Sequence, residues 1–317
     1  MSEPISYAAP RLRLSEGRVA EMVGRTPLLR IHLFDREAPD LAVFAKAEFM
    51  NPGGSVKDRP ALRMLQEAEA RGELTPGRVI LDSTSGNTGV AYAMLGAAFG
   101  YRVRLVMPAN VGRERRQLIE AYGAEIVYSD PQEGSDGAIL QCRAIQAADP
   151  ERYYVPDQYN NPANWQAHYD TTGAEIWEQT QGQVTHFLAG LGTSGTFVGC
   201  ARRLKAYRPT IRCISLQPDD AFHGLEGLKH MPSSIVPGIY DPSVADEDWG
   251  GPTEPAYELG RELALREGIL VGHSSALGLW GVRRLIRSGV TRGVAVLIFA
   301  DRGERYLSTG LFGARPR

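Results

Sequence analysis

Along the chain, short aliphatic or β-branched runs alternate with amphipathic stretches of helical length. Val79-Ile80-Leu81 predicts a strand before a helix starting near Asn87. Val103-Arg104-Leu105-Val106-Met107 predicts a second strand, before a helix over 113–122, and Glu125-Ile126-Val127-Tyr128 a third, before a helical stretch over 137–148. The pattern resumes in the second half. His186-Phe187-Leu188-Ala189 leads through glycines into a helix over 196–207, Ile211 to Leu216 reads as a strand, and Val294 to Phe299 as a fully buried one. Such alternation predicts parallel sheets covered by helices, an α/β fold. The polar, turn-rich run Asp157 to Asn164 is placed to join two lobes. Pro218 to Gly251, rich in Pro, Gly and Asp with weak periodicity, is expected as a long surface excursion of a kind that is often functional.

Length and charge narrow the function classes. A chain of 317 residues can bury a large core arranged as two lobes. The formal charge of −2, with both signs mixed, gives no electrostatic reason to expect nucleic acid or an anionic membrane as partner. The densest charged cluster, Arg113-Glu114-Arg115-Arg116, is expected on a solvated helix face. Met1 to Ala20 holds no apolar stretch of secretory length and nothing later is long enough to span a bilayer, so a cytoplasmic location is expected. Cys142, Cys200 and Cys213, odd in number and unrelated in spacing, are expected as buried free thiols. The histidines, His32, His168, His186, His223, His230 and His273, show no metal-site spacing, and no metal is expected.

Three segments carry chemistry. Gly190-Leu191-Gly192-Thr193-Ser194-Gly195 matches G-x-G-x-x-G between a strand and a helix. A dinucleotide site would need an acid beyond the next strand, where Asp219 and Asp220 stand. The physics is broader, because glycines let the backbone approach any anion and Thr193 and Thr196 add hydroxyl donors. Lys57 follows the turn Gly53-Gly54 and precedes Asp58-Arg59-Pro60 at the start of a helix, without P-loop spacing. Thr84-Ser85-Gly86-Asn87-Thr88-Gly89 forms a second anion cradle, suited to a carboxylate. One lysine, one phosphate cup and one carboxylate cup fit an aldehyde cofactor acting on an amino acid.

These segments, with Gly24-Arg25-Thr26-Pro27-Leu28, Gly192-Thr193-Ser194-Gly195-Thr196 and Gly303-Glu304-Arg305-Tyr306-Leu307-Ser308-Thr309-Gly310, resemble the cysteine synthase family of fold-type II pyridoxal-phosphate enzymes over nearly the whole chain. Val236-Pro237-Gly238-Ile239-Tyr240 and Asp301 to Tyr306 are similar to the B type in particular. The resemblance implies a two-lobed fold like that of the tryptophan synthase β-chain: residues 1–52 and 162–317 as a large cofactor-binding domain, 53–161 as a small mobile one, and a homodimer. It implies that Lys57 binds the aldehyde of pyridoxal 5′-phosphate and then acts as a base over Cα. It places Asn87 at the cofactor's 3′-oxygen, Gly192, Thr193, Ser194, Gly195 and Thr196 around the phosphate, and Ser274 at the pyridine nitrogen. Thr84, Ser85, Gly86, Thr88 and Gln158 fall around the substrate carboxylate. A neutral hydroxyl at the ring nitrogen makes a weaker electron sink than a carboxylate would, which suits β-replacement.

The implied reaction turns O-acetyl-L-serine and sulfide, or another sulfur donor, into L-cysteine. Alternatives on the same scaffold are an O-phosphoserine sulfhydrylase, an S-sulfocysteine synthase, a cystathionine synthase and a serine or threonine dehydratase; a nicotinamide-dependent oxidoreductase is the reading from another class. Three departures stand out. Ala276 replaces a glycine, His273 an aliphatic residue, and Lys229-His230-Met231 an Arg-Arg-Trp run associated with larger anionic donors such as thiosulfate. Lys229 keeps one positive charge without a bidentate fork and is the expected contact for a sulfur donor or a phosphate leaving group.

Overall fold

The computed structural model describes residues 18–84 and 86–313. After a short helix α1 (Arg18–Glu21), strands β1 (Leu28–Ile31) and β2 (Asp40–Ala47) form an antiparallel pair. Helix α2 (Asp58–Ala70) precedes the alternating run β3 (Val79–Ser83), α3 (Asn87–Phe99), β4 (Arg102–Pro108), α4 (Arg113–Ala121), β5 (Glu125–Ser129), α5 (Gly134–Ala148) and β6 (Tyr153–Tyr154). The remainder is α6 (Ala163–Ala167), α7 (Gly173–Gln179), β7 (His186–Gly190), α8 (Gly195–Tyr207), β8 (Arg212–Pro218), β9 (Glu247–Gly251), α9 (Thr253–Glu267), α10 (His273–Arg287) and β10 (Arg292–Phe299).

Two sheets result. One has the order β1-β2-β10-β7-β8-β9 and the other β5-β4-β3-β6. Every pairing except β1 with β2 is parallel, as the strand–helix alternation requires. In β10 the two-residue period sorts side chains between faces. Ala295, Leu297 and Phe299 join the core beneath α9 and α10, with Leu263, Leu277 and Leu285, while Val296 and Ile298 face the core that holds Phe197, Val198 and Leu204 of α8. In the smaller sheet β3 is buried throughout, and Ala61, Met64, Leu65 and Ala68 of α2 pack into one core with α3, which is apolar nearly all round.

Two expectations need correction. The surface excursion over 218–251 ends in a strand: β9 pairs in parallel with β8 at the sheet edge, and its Trp249 and Gly251 are buried. The Arg113–Arg116 cluster is not wholly solvated, because Arg115 is buried. All three cysteines are buried free thiols, and among the described residues no helix is long and apolar enough to cross a membrane.

Candidate active site

A cleft opens at the carboxyl ends of β3, β7 and β10, where parallel sheets present loops and helix N-termini. Lys57 caps α2, Asn87 and Thr88 begin α3, Gly192 and Thr193 lead into α8, and Ser274 is the second residue of α10; all of them line the cleft. Converging helix N-termini offer unbonded amides and positive dipole ends, which is what anionic groups require.

Of the chain's four lysines, Lys46 is paired with Glu175, Lys205 with Asp246 and Lys229 with Asp136. The Lys57 amine alone has no hydrogen-bond or ion-pair partner among the described residues. Burial pushes its pKa down, with the Asp301 charge opposing. A lowered pKa leaves more of the amine in the neutral, nucleophilic form. The backbone that carries it is anchored by charge: Arg59, two residues on, is gripped by Glu48 and Glu175 at 2.6–2.8 Å.

Asn87 is fixed at both ends of its amide. Its Oδ1 accepts from Arg305 at 2.6 Å and its Nδ2 donates to Asp301, leaving the second Nδ2 hydrogen for a ligand. Asp301 also accepts from Tyr306, and burial raises the Tyr306 pKa well above the ordinary value. Thr84 Oγ1 accepts from the amides of Gly86 and Gly89 at 3.1 and 3.2 Å, so its own hydrogen is available to an acceptor in the cleft. Thr88 donates to Gln158 Oε1 at 2.7 Å, and Gln158 Nε2 donates to Ser83 O at 2.7 Å, which leaves Gln158 one N–H. Ser85 lies outside the described residues.

The glycine turn fits a phosphate. Ser194 is held at φ 71°, and its buried Oγ has no partner. A Cβ on Gly192 would stand 2.4 Å from Gly227 O, and one on Gly195 2.0 Å from Asn164 Oδ1. Thr196 lines the adjoining part of the cleft with Lys57 and Ser274, whereas Ser194 and Gly195 belong to the same turn but are not among the residues lining the cleft. Gly86 lies at φ 152° under the Arg115 side chain and does not line the cleft. Asp219 and Asp220 are exposed and do not line the cleft, so neither supplies there the acid a dinucleotide site needs.

Arg115, Glu226 and Tyr306 also line the cleft and carry no role in the sequence reading. Tyr306 sits in a motif that the sequence does display, so that motif was the available signal. Arg115 and Glu226, 111 residues apart, form an ion pair that no local pattern reveals. Lys229 is 6% exposed and lines the cleft, with its Nζ 3.0 Å from Asp136 Oδ1 and 3.3 Å from Ser135 Oγ. His273 accepts from Glu226 N at 3.2 Å and contacts Thr309 Oγ1 at 3.1 Å; burial, helped by Arg115, lowers its pKa to about 3. The imidazole is therefore neutral and holds the 223–230 loop against α10.

Comparisons with known proteins agree with this geometry. The family model described as "Pyridoxal-phosphate dependent enzyme" matches residues 19–301. The chain is 51% identical over 306 residues to a cysteine synthase of Aquifex aeolicus, covering 95% of this chain and 93% of that protein. It is 43% identical over 295 residues to cysteine synthase B of Escherichia coli, covering 92% and 95%. The crystal structure of a cysteine synthase from Entamoeba histolytica superposes with a TM-score of 0.89 at 34% identity, covering 99% of this chain and 96% of that one. Fold, cleft and sequence converge, and the chain belongs to the cysteine synthase family of pyridoxal-phosphate dependent enzymes.

Proposed function

We propose that this protein is a cysteine synthase of the O-acetylserine sulfhydrylase type, exchanging the acetoxy group of O-acetyl-L-serine for sulfur by β-replacement. The observation that carries the reading is the unpartnered Lys57 amine in a cleft ringed by helix N-termini. Pyridoxal 5′-phosphate, when bound, supplies an aldehyde for the amine and a conjugated ring that takes up electron density from Cα. The residues fit it: the orphaned Ser194 hydroxyl and the start of α8 suit its phosphate, the spare Asn87 N–H its ring oxygen, and Ser274 its ring nitrogen.

The chain's own residues then divide the work. Lys57 Nζ would take the proton from Cα of the substrate and later return it there. Thr84 Oγ1 and the first-turn amides of α3 hold the substrate carboxylate, with Thr88 positioned by Gln158. Asp301 and Arg305 fix the angle of Asn87, and Asp301 keeps a negative charge near the amine. Residues 53–161 form the smaller unit, whose closing excludes water from the reacting Cβ. A cytoplasmic homodimer completes the proposal; size-exclusion chromatography with light scattering checks the dimer.

Incubating the purified holoenzyme with O-acetylserine and sulfide tests the activity. The expected products are cysteine and acetate in equal amounts. Pyruvate and ammonia formed at the same rate without sulfide would instead make the protein a lyase.

A further inference from the structure

Two cations line the mouth of the cleft, and neither meets it as a bare charge. Arg115, on α4, is paired with Glu226 of the loop that follows β8. Lys229, on that same loop, is paired in the opposite direction with Asp136 at the start of α5. The two pairs cross the cleft antisymmetrically, each side giving one cation and one anion. The four charges sum to zero.

Both pairs are held by further contacts. The backbone N of Glu226 donates to the neutral His273, and Asp136 Oδ2 accepts from Ile235 N at 3.0 Å. Lys229 is steadied by Ser135 Oγ and lies 5.3 Å from the centre of the Tyr159 ring. The carboxylates remain a third or more exposed, while the cations are nearly buried. Glu226 itself lines the cleft, so an entering anion meets that carboxylate directly, while Asp136 acts through Lys229, the lining residue that it neutralises.

We infer that Glu226 and Asp136 are specificity-determining residues, which neutralise Arg115 and Lys229 so that the cleft takes a singly charged sulfur donor such as hydrosulfide in preference to a dianion such as thiosulfate. This rests on the β-replacement reading given above. With either donor the Cβ–O bond of O-acetylserine breaks and acetate leaves with the electron pair, a Cβ–S bond forms from the donor's sulfur lone pair, and the proton removed from Cα returns to it. Hydrosulfide gives cysteine and thiosulfate gives S-sulfocysteine. The donors differ in the charge they bring past Glu226 and toward a Lys229 already neutralised by Asp136, and this difference discriminates between them.

The test compares the holoenzyme with Glu226→Gln, Glu226→Asp, Asp136→Asn and the double variant Arg115→Gln/Glu226→Gln. The ratio of kcat/KM for thiosulfate to that for sulfide, with O-acetylserine fixed, should rise at least about tenfold in Glu226→Gln and in Asp136→Asn. It should stay near the wild-type value in Glu226→Asp and fall back in the double variant. The gain should shrink as salt is added. Thiosulfate and acetate affinities of the holoenzymes, read from changes in cofactor absorbance, give a second measure that needs no turnover. A wild type that binds both anions but makes no cysteine would overturn the β-replacement reading and leave these affinities to decide the inference. Unchanged ratios and affinities in both single variants, or a gain that persists in the double variant, would overturn the inference itself.

Discussion

Replacing Arg59 by methionine tests whether a buried charge cluster holds the backbone that presents Lys57. The guanidinium donates to both oxygens of Glu48 and both oxygens of Glu175, and also reaches Thr26 Oγ1 at 3.2 Å. The Arg59 side chain is 2% exposed, Glu48 is fully buried, and Lys46, also fully buried, is paired with Glu175. With Lys46 and Arg59 against Glu48 and Glu175, the cluster is neutral. Arg59→Met keeps most of the packing volume but leaves one uncompensated negative charge. Among the described residues, Glu48 would keep only Thr26 Oγ1 and Asn51 Nδ2 as donors. Breaking a buried pair in this way costs about 3–5 kcal/mol. For 317 residues the entropy of unfolding is about 0.7 kcal/mol per kelvin, so a loss of about 4 kcal/mol lowers Tm by about 6 °C. Calorimetry and urea unfolding read both quantities. Glu48→Gln in the Arg59→Met background removes the orphaned charge and should recover part of the loss, giving a coupling energy well above about 1 kcal/mol in the double-mutant cycle. A single variant within about 0.5 kcal/mol of wild type, or a double variant whose losses simply add, would refute the claim that the cluster acts as one unit.

Other predictions concern the cofactor cup, the ring contact and pH. Gly192→Ala places a methyl group against Gly227 O, so cofactor titration of the variant should show affinity reduced by about tenfold or more while far-UV circular dichroism is retained. Asn87→Ala removes the spare N–H and one partner each of Arg305 and Asp301; the expected results are a shifted visible absorption band and kcat lower by about 100-fold, and an unaltered spectrum would count against its placement at the ring. Burial raises the Asp82 pKa from 3.8 to about 7, against a hydrogen bond from the Ser83 amide. Because the folded-state pKa is raised, this group's stabilising contribution is complete below pH 4 and is lost as pH climbs through 7. Wild type should therefore lose about 2–3 kcal/mol more than Asp82→Asn between pH 5 and pH 8 in urea unfolding, and parallel pH curves for the two would contradict the assignment.

The parts of the molecule legible in the sequence are those where a local pattern and a tertiary role coincide. β3, β4, β5, β7, β8 and β10 carry apolar runs because helices or strands cover them, and the turns before α3 and α8 carry glycines and hydroxyls at helix starts, a local pattern of the kind that suits an anion. β9 was not legible: it is an edge strand of Glu-Asp-Trp-Gly-Gly, and alternate burial of Trp249 and Gly251 is too short a signal over five residues. The hairpin of β1 and β2 is also weakly marked, since Lys46 is buried as an ion and Arg30 bonds to backbone carbonyls. Arg115 looks like its charged neighbours, and its burial and its pairing with a carboxylate from a distant loop leave no local mark. Lys229 was visible as a cation near the cleft, but its neutralisation by Asp136 was not, because the pair spans 93 residues. Pairings that cross between loops and helices leave no period in the chain.

Linkage of the cofactor to Lys57 can be tested by a single measurement, because the chain has only four lysines. Borohydride reduction of the yellow holoenzyme, followed by peptide mass mapping, should place one pyridoxyl phosphate group on the peptide containing Lys57 and none on Lys46, Lys205 or Lys229. Lys57→Ala should take up cofactor without a reducible link and lose the β-replacement activity. A label on Lys229 or Lys46, or full activity in Lys57→Ala, would contradict the account.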